Sequence, residues 1–280
     1  MTAPAQVVST GYCLGTMLAW GVSDFLGGYF SRTINAFLLT LGVNIGGLVC
    51  MVTLAALSGA PLLPARAIAW VVAGGMMGGG SLAVFYQALA LGRMGITAPV
   101  AAVLSAAIPT AFSLATEGMP APIHLVGFVV AGIGIWLISR SEDGLQREGL
   151  GLAVVAGVGF AGFYLCLRQA GQGSALWIAS FSRVGGLTVI TMILALQRNF
   201  RGLTTAALRW GTLTGCLDSL GTVMFARAAQ TGRLDAAVVL SSLYPAVTVL
   251  LARLVLHEHF SRWRTIGILA ALAAVPMIAM

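Results

Sequence analysis

Long apolar blocks follow one another almost without interruption along this chain. Ten of them can be marked, at residues 7–30, 36–58, 67–91, 96–115, 123–139, 149–167, 175–196, 205–229, 234–256 and 263–279. Crossing about 30 Å of hydrocarbon takes roughly 20 helical residues, which is the length of these blocks. Strands are excluded as the spanning element. An open strand leaves backbone groups unpaired in lipid, and barrel strands are about half as long and alternate in polarity. Composition closes off a soluble alternative. Charged residues make up 8 % of the chain against about 25 % in an ordinary soluble domain, and 59 % is hydrophobic, so too little charge exists to coat a water-facing surface. The expectation is an all-α integral membrane protein.

The net charge of +7 comes entirely from arginine, with no lysine. These arginines stand singly at the ends of apolar blocks, as membrane-boundary residues do. No basic stripe with interleaved aromatics is present, so nucleic acid is not an expected partner. Cys13, Cys50, Cys166 and Cys216 all fall inside apolar blocks without paired spacing. They read as small buried hydrophobes, not disulfides or metal ligands. The start "MTAPAQVV" lacks a basic n-region, so the first block is expected to be a true span.

One charged connector, "RSEDGLQRE" at 140–148, lies at the midpoint and divides the chain. Asn44-x-Gly46-Gly47 matches Arg183-x-Gly185-Gly186 at a spacing of 139, Gly92-Arg93 matches Gly232-Arg233 at 140, and Glu117 matches Glu258 at 141. "VLSAAIP" ending in Pro109 resembles "VLSSLYP" ending in Pro245 at a spacing of 136. The spacing indicates a duplication: a first repeat at 1–141, a linker at 142–148 and a second repeat at 149–280. Each half holds five blocks. An odd number forces the second half into the membrane from the opposite face. The expected architecture is ten transmembrane helices as two inverted five-helix repeats around a central cavity, a design typical of secondary transporters.

The stretches "AWGVSDFLGGYFSR", "YQALALGRMGITAPV" and "LSSLYPAVTVLLARLVLHE" resemble the ten-helix EamA-type transporters of the drug/metabolite transporter superfamily. The resemblance implies movement of small metabolites such as amino acids, sugars or nucleoside-like compounds. It also implies a cavity lined by spans one to four and six to nine, with spans five and ten peripheral. Two departures stand out: the segment from Pro109 to Glu117 is shorter than that from Pro245 to Glu258, and Arg264 stands where the family often has glutamine.

An ionised side chain at mid-membrane costs about 2.5–3.5 kcal/mol on insertion scales, so such groups mark polar pathways. Asp24, Arg183 and Asp218 lie inside blocks. At about 1.5 Å per residue, Asp218 falls near the middle of its block and Arg183 roughly 4 Å from the middle of its own. The two can form a pair. That pair either fixes one span against the next or gives Arg183's planar fork to a substrate carboxylate, releasing Asp218 as a proton carrier. Desolvation favours the neutral acid, the property a proton carrier needs. Asp24 falls about 8 Å beyond the middle of its block, nearer a cavity mouth. Trp20 and Asp24 share a helix face, and an aromatic face beside a carboxylate suits a cation. Trp20, Ser23, Asn44, Tyr86, Tyr164, Arg183 and Tyr244 are the candidate substrate contacts, with Gln87 beside them. Asp24 and Asp218 are the candidate proton groups.

"GGMMGGGS" at 74–81 weakens a helix and permits close approach or bending. Pro99, Pro109 and Pro245 can kink the fourth and ninth spans. "HEHF" at 257–260 lacks the spacing of a zinc helix and reads as an interfacial charged cluster, so neither a metal nor a cofactor is expected. No enzyme constellation is visible. Counting arginines puts four on the side of the termini and ten on the other, which favours both termini outside, whereas the family resemblance implies both inside. The sequence therefore points to a proton-coupled secondary transporter in the inner cell membrane. It would export an amino acid or similar metabolite, or alternatively a cationic amphiphile.

Overall fold

The computed structural model describes residues 3–91, 94–119, 122–139, 149–198, 200, 202–256 and 262–279. The connector at 140–148, Gly92-Arg93 and the "HEHF" cluster lie outside them. Among the described residues the fold is all-helical. The first half carries α1 (Ala3–Phe30), α2 (Ala36–Leu57), α3 (Ala65–Leu91), α4 (Met94–Glu117) and α5 (Pro122–Ser139). The second carries α6 (Leu150–Gln169), α7 (Ala175–Leu196), α8 (Thr205–Thr231), α9 (Leu234–Ser241), α10 (Tyr244–Leu256) and α11 (Arg262–Ala279). Side-chain caps set several starts: Asn35 accepts from the Phe37 and Leu38 amides, Ser174 from Trp177 and Thr204 from Ala207. Each satisfies a donor that the first helical turn would leave open.

The distribution of polarity is that of a membrane protein. Large apolar side chains such as Leu18, Val49, Val129, Val155 and Leu254 are exposed on the outside. Thr16, Thr40, Asn44, Ser105 and Thr248 are buried inside. Lipid tolerates the first group, and the second must find partners in the interior. Five segments are long and apolar enough to cross a membrane, by length and composition: Ala36–Leu57, Ala65–Leu91, Leu150–Gln169, Ala175–Leu196 and Ala236–Leu256. The protein is a multi-pass membrane protein.

The glycines and prolines singled out in the sequence meet different local structures. The glycine-rich stretch at 74–81 lies within a continuous α3. Its glycines serve close approach: a Cβ on Gly79 would run into the Cα of Gly186 on α7, and one on Gly75 into the Ser182 backbone. The matching prolines also behave differently. Pro109 sits within a continuous α4, whereas the ninth block breaks into α9 and α10 just before Pro245. A proline ring collides with the carbonyl four residues earlier, here Ser241, and removes one donor. The Ser242 amide still makes an α-helical bond to Val238 O at 2.9 Å, and the chain then tightens, Leu243 donating to Leu240 O at 3.2 Å. The break puts Tyr244 at the first position of α10, deep in the protein.

The helices pack by a rule of exchange. α3 lies on α6 as α8 lies on α1; α2 on α8 as α7 on α3; and α4 on α6 as α9 and α10 on α1. α2 and α7 meet each other, and so do α5 and α11. The α5–α11 pair stands apart from the centre, where α1, α2, α3, α6, α7, α8 and α10 converge.

Candidate functional site

Those seven helices surround a cavity whose empty space, counted with its open mouth, is about 540 Å³. α1 supplies Trp20 and Asp24, α2 Asn44, α6 Tyr164, α7 Arg183, α8 Asp218 and α10 Tyr244. The spacing of Trp20 and Asp24 puts both on one face of α1, as the four-residue interval requires.

The second-half charges are paired, while Arg183 Nε is buried without a hydrogen-bond partner among the described residues. Arg183 Nη2 pairs with Asp218 Oδ2 at 2.5 Å, with both side chains about nine-tenths buried. The same nitrogen donates to Thr222 Oγ1 at 3.0 Å, and Thr222 Oγ1 donates to the Asp218 carbonyl at 3.1 Å. Thr222 stands one helical turn after Asp218, so the hydroxyl falls beside the pair by helix geometry alone. Trp20 Nε1 donates to that same Asp218 carbonyl at 3.1 Å, tying α1 to α8 at this level. Asn44 Nδ2 donates to Thr40 O one turn back, and its amide oxygen lies against Gly186.

Asp24 is different. It is 5 % exposed and lines the cavity, yet no hydrogen bond or ion pair from the described residues reaches its carboxylate. The nearby charges are the Arg183–Asp218 pair, and the nearby phenols are Tyr86, Tyr164 and Tyr244.

Aromatic rings close one side of the cavity. Trp20 stands 5.9 Å from Tyr164, 5.5 Å from Phe225 and 6.5 Å from Tyr244, and Tyr164 stands 4.9 Å from Phe225. These separations are those of attractive ring pairs. Phe225, fully buried, also lines a second cavity of about 770 Å³ including its mouth. That cavity lies among the last turns of α6 and α8 and the starts of α7 and α9, and its polar wall includes Gln172 and Gln230. Phe225 thus joins the aromatic cluster of the first cavity to the wall of the second. Gln172 Nε2 donates to Gln230 O at 3.2 Å, and Gln230 Nε2 to Gly173 O at 3.1 Å, which holds the α6–α7 connection against α8.

Two candidate contacts stand outside the cavity lining. Ser23 is fully buried, and its hydroxyl donates to Trp20 O at 3.1 Å within α1; it does not line the cavity. An i to i−3 bond to the helix's own carbonyl is the usual resort of a serine in an apolar span. Tyr86 is also fully buried and outside the cavity lining, its ring set against Gly27 and its hydroxyl without a hydrogen-bond partner. Gln87 is half-buried and outside the lining as well. The reading missed Thr222, Ser182, Phe160 and Phe163, which line the cavity. Phe160 was legible in principle, being four residues before Tyr164. All four cysteines are free, with Cys13 buried and the others half-buried. Among the described residues no three His, Cys, Asp or Glu side chains converge as a metal site.

The resemblance seen in the sequence is borne out by comparison with known proteins. Residues 147–280 match the EamA-like transporter family. A solved structure, described only as the crystal structure of a protein, aligns with 99 % of this chain and 96 % of its own length at a TM-score of 0.76 and 17 % identity. That likeness concerns the fold. No curated protein sequence matches the chain.

Proposed function

From a chain whose second half matches the EamA-like transporter family, we propose a proton-coupled secondary transporter that moves a small organic metabolite outward across the inner cell membrane by alternating access. The single observation that carries this reading is the central cavity. It holds three ionisable side chains carried within helices, Arg183 and Asp218 near the middle of theirs, and lies where helices of both halves meet.

The packing rule supports a repeat of five spans. Exchanging α1–α5 with α6–α11, and counting α9 with α10 as one span, turns most of the extensive helix contacts into one another, although the contact of α1 with α3 has no counterpart between α6 and α8. Such a pseudo-two-fold relation lets one half rock against the other around a fixed site. On this reading the aromatic layer of Trp20, Tyr164, Phe225 and Tyr244 is the closed gate toward the second cavity. Its opening requires α1 and α10 to part from α6 and α8.

The substrate has two readings. In the first, Arg183 meets the carboxylate of an amino acid or similar zwitterion. In the second, the substrate is cationic. The engagement of Arg183 Nη2 by both Asp218 and Thr222 favours the second. The test is flux into proteoliposomes over a panel of amino acids, sugars, nucleosides and organic cations, with a pH gradient imposed. Accumulation of at least one compound, driven by the gradient, is the expected result. A panel without flux, from protein that is folded and inserted, sinks the transporter reading.

A further inference from the structure

The charges that line the central cavity do not balance. Arg183 and Asp218 neutralise each other in a pair held by Thr222. Asp24 is left over, buried and without a partner among the described residues. An isolated charge carried at mid-membrane is expensive, so whatever state of the cavity changes its exposure from one side to the other must be close to neutral. One positive charge beside Asp24 meets that condition. A proton supplies it, and so does one monovalent cation. A zwitterion does not, because it brings no net charge.

The walls point to the kind of cation. Trp20, Tyr164, Tyr244, Phe160 and Phe163 line the space around the acid. Ring faces attract ammonium groups, most strongly where water is scarce. They also supply apolar surface for an aromatic or aliphatic body. The ionisable groups that interact with Asp24 from other helices are Asp218 on α8, Tyr86 on α3, Tyr164 on α6 and Tyr244 on α10, and Arg183 on α7 lines the same cavity. From α2 the cavity receives Asn44, which does not titrate. A protonated phenol carries no charge, so none of these groups adds a second free one.

We propose that Asp24 is the exchange site of this cavity, holding either one proton or one organic monocation, so that the protein exchanges the two one for one without moving net charge. This rests on the transporter reading above and names the substrate class and stoichiometry of the same cavity. The step balances: the carboxyl O–H bond opens, the proton leaves to water, and the ammonium takes its place against the carboxylate. The Arg183–Asp218 pair is a positioning unit that stays closed through the cycle.

The first test is binding, on the purified full-length protein. Benzyltrimethylammonium, 2-phenylethylammonium and the zwitterion L-phenylalanine are titrated by calorimetry in buffers of different ionisation enthalpy. For at least one of the two cations, the protons released per molecule bound should approach one as the pH falls, with apparent affinity weakening tenfold per pH unit. Neither cation binding, binding without proton release, release of two protons, or L-phenylalanine binding as tightly as the better cation each overturns the proposal. Asp24→Asn should lose both binding and release, and Asp24→Glu should keep release. Should the asparagine variant fail to fold, the wild-type proton count still decides.

The second test is flux. Vesicles carrying the protein and a luminal pH dye receive external benzyltrimethylammonium, which has no neutral form to leak across. The lumen should alkalinise at a rate unchanged by clamping the membrane potential with potassium and valinomycin. A rate that follows the potential overturns the one-for-one exchange. Binding with the expected proton release but no flux of any cation leaves the assignment of Asp24 standing and overturns the transporter reading instead.

Discussion

Asp24 and Asp218 line the same cavity and are similarly buried, yet one is held and the other is not. The difference begins in local sequence. One turn from Asp218 stands Thr222, and from α7 across the gap Arg183 reaches the acid. One turn from Asp24 stand Trp20, Gly21, Gly27 and Gly28. Tyr86 packs on Gly27, and Met94 and Leu89 on Gly28. The first half thus surrounds its acid with rings and apolar side chains, and none of the described residues donates to it. The second half gives its acid a cation, and a threonine hydroxyl bridges that cation to the Asp218 main-chain carbonyl. A carboxylate held by a cation is part of the framework. A carboxylate without one is where an exchangeable positive charge belongs.

The most damaging way to probe this contrast is to break the held pair. Arg183→Ala leaves Asp218 buried without its partner, a change that costs about 3–5 kcal/mol in buried pairs. Thermal melting of the purified protein should show a fall of many degrees. Replacing both residues with apolar ones, Arg183→Met with Asp218→Leu, should restore most of that loss, because no uncompensated charge remains. A single variant that melts like wild type would mean that the pair holds nothing together, and the contrast with Asp24 would be lost.

A smaller effect comes from the packing that brings the pair together. Gly215 lies one turn before Asp218, and a Cβ there would collide with the Val43 backbone on α2. Gly215→Val should push α8 away from α2 and cost about 1–3 kcal/mol, the usual range for overpacking. Smaller again is Thr222→Val, which removes the hydroxyl between Arg183 and the Asp218 carbonyl. Losing such hydrogen bonds costs about 1 kcal/mol. Melting curves rank the three, and a Thr222→Val loss as large as that of Arg183→Ala would make the hydroxyl, not the ion pair, the main support.

How much of this contrast was legible from residues alone follows from what each part depends on. The helices and their lengths were readable because block length against bilayer thickness is a one-dimensional property. The Arg183–Asp218 pair was readable because depth along a span is also one-dimensional. The break before Pro245 was marked by the proline, but the unbroken α4 across Pro109 shows that the residue permits a break without requiring one. What stayed hidden was direction around the helix axis. Ser23 adjoins Asp24 in sequence, yet its hydroxyl turns back to Trp20 O while Asp24 faces the cavity. Tyr86 sits in a cavity-forming helix but spends its ring on Gly27. Thr222 drew no notice because a lone threonine in a span carries no signal until its neighbour across the gap is known.

The smallest stability effect is expected at Asp24, and it is the sharpest test of the contrast. Asp24→Asn keeps the shape of the side chain and removes the acid. No protein donor is lost, because none of the described residues donates to it. Burying an unpartnered ionisable group carries its own cost, so removing it should leave the melting temperature unchanged or slightly raised. Proton-for-cation exchange should nevertheless vanish. The two measurements pull in opposite directions only if the acid belongs to the cargo rather than to the framework. A fall of several degrees on Asp24→Asn would put Asp24 in the framework with Asp218, and the difference between the two halves would then be one of partners not yet seen, not of role.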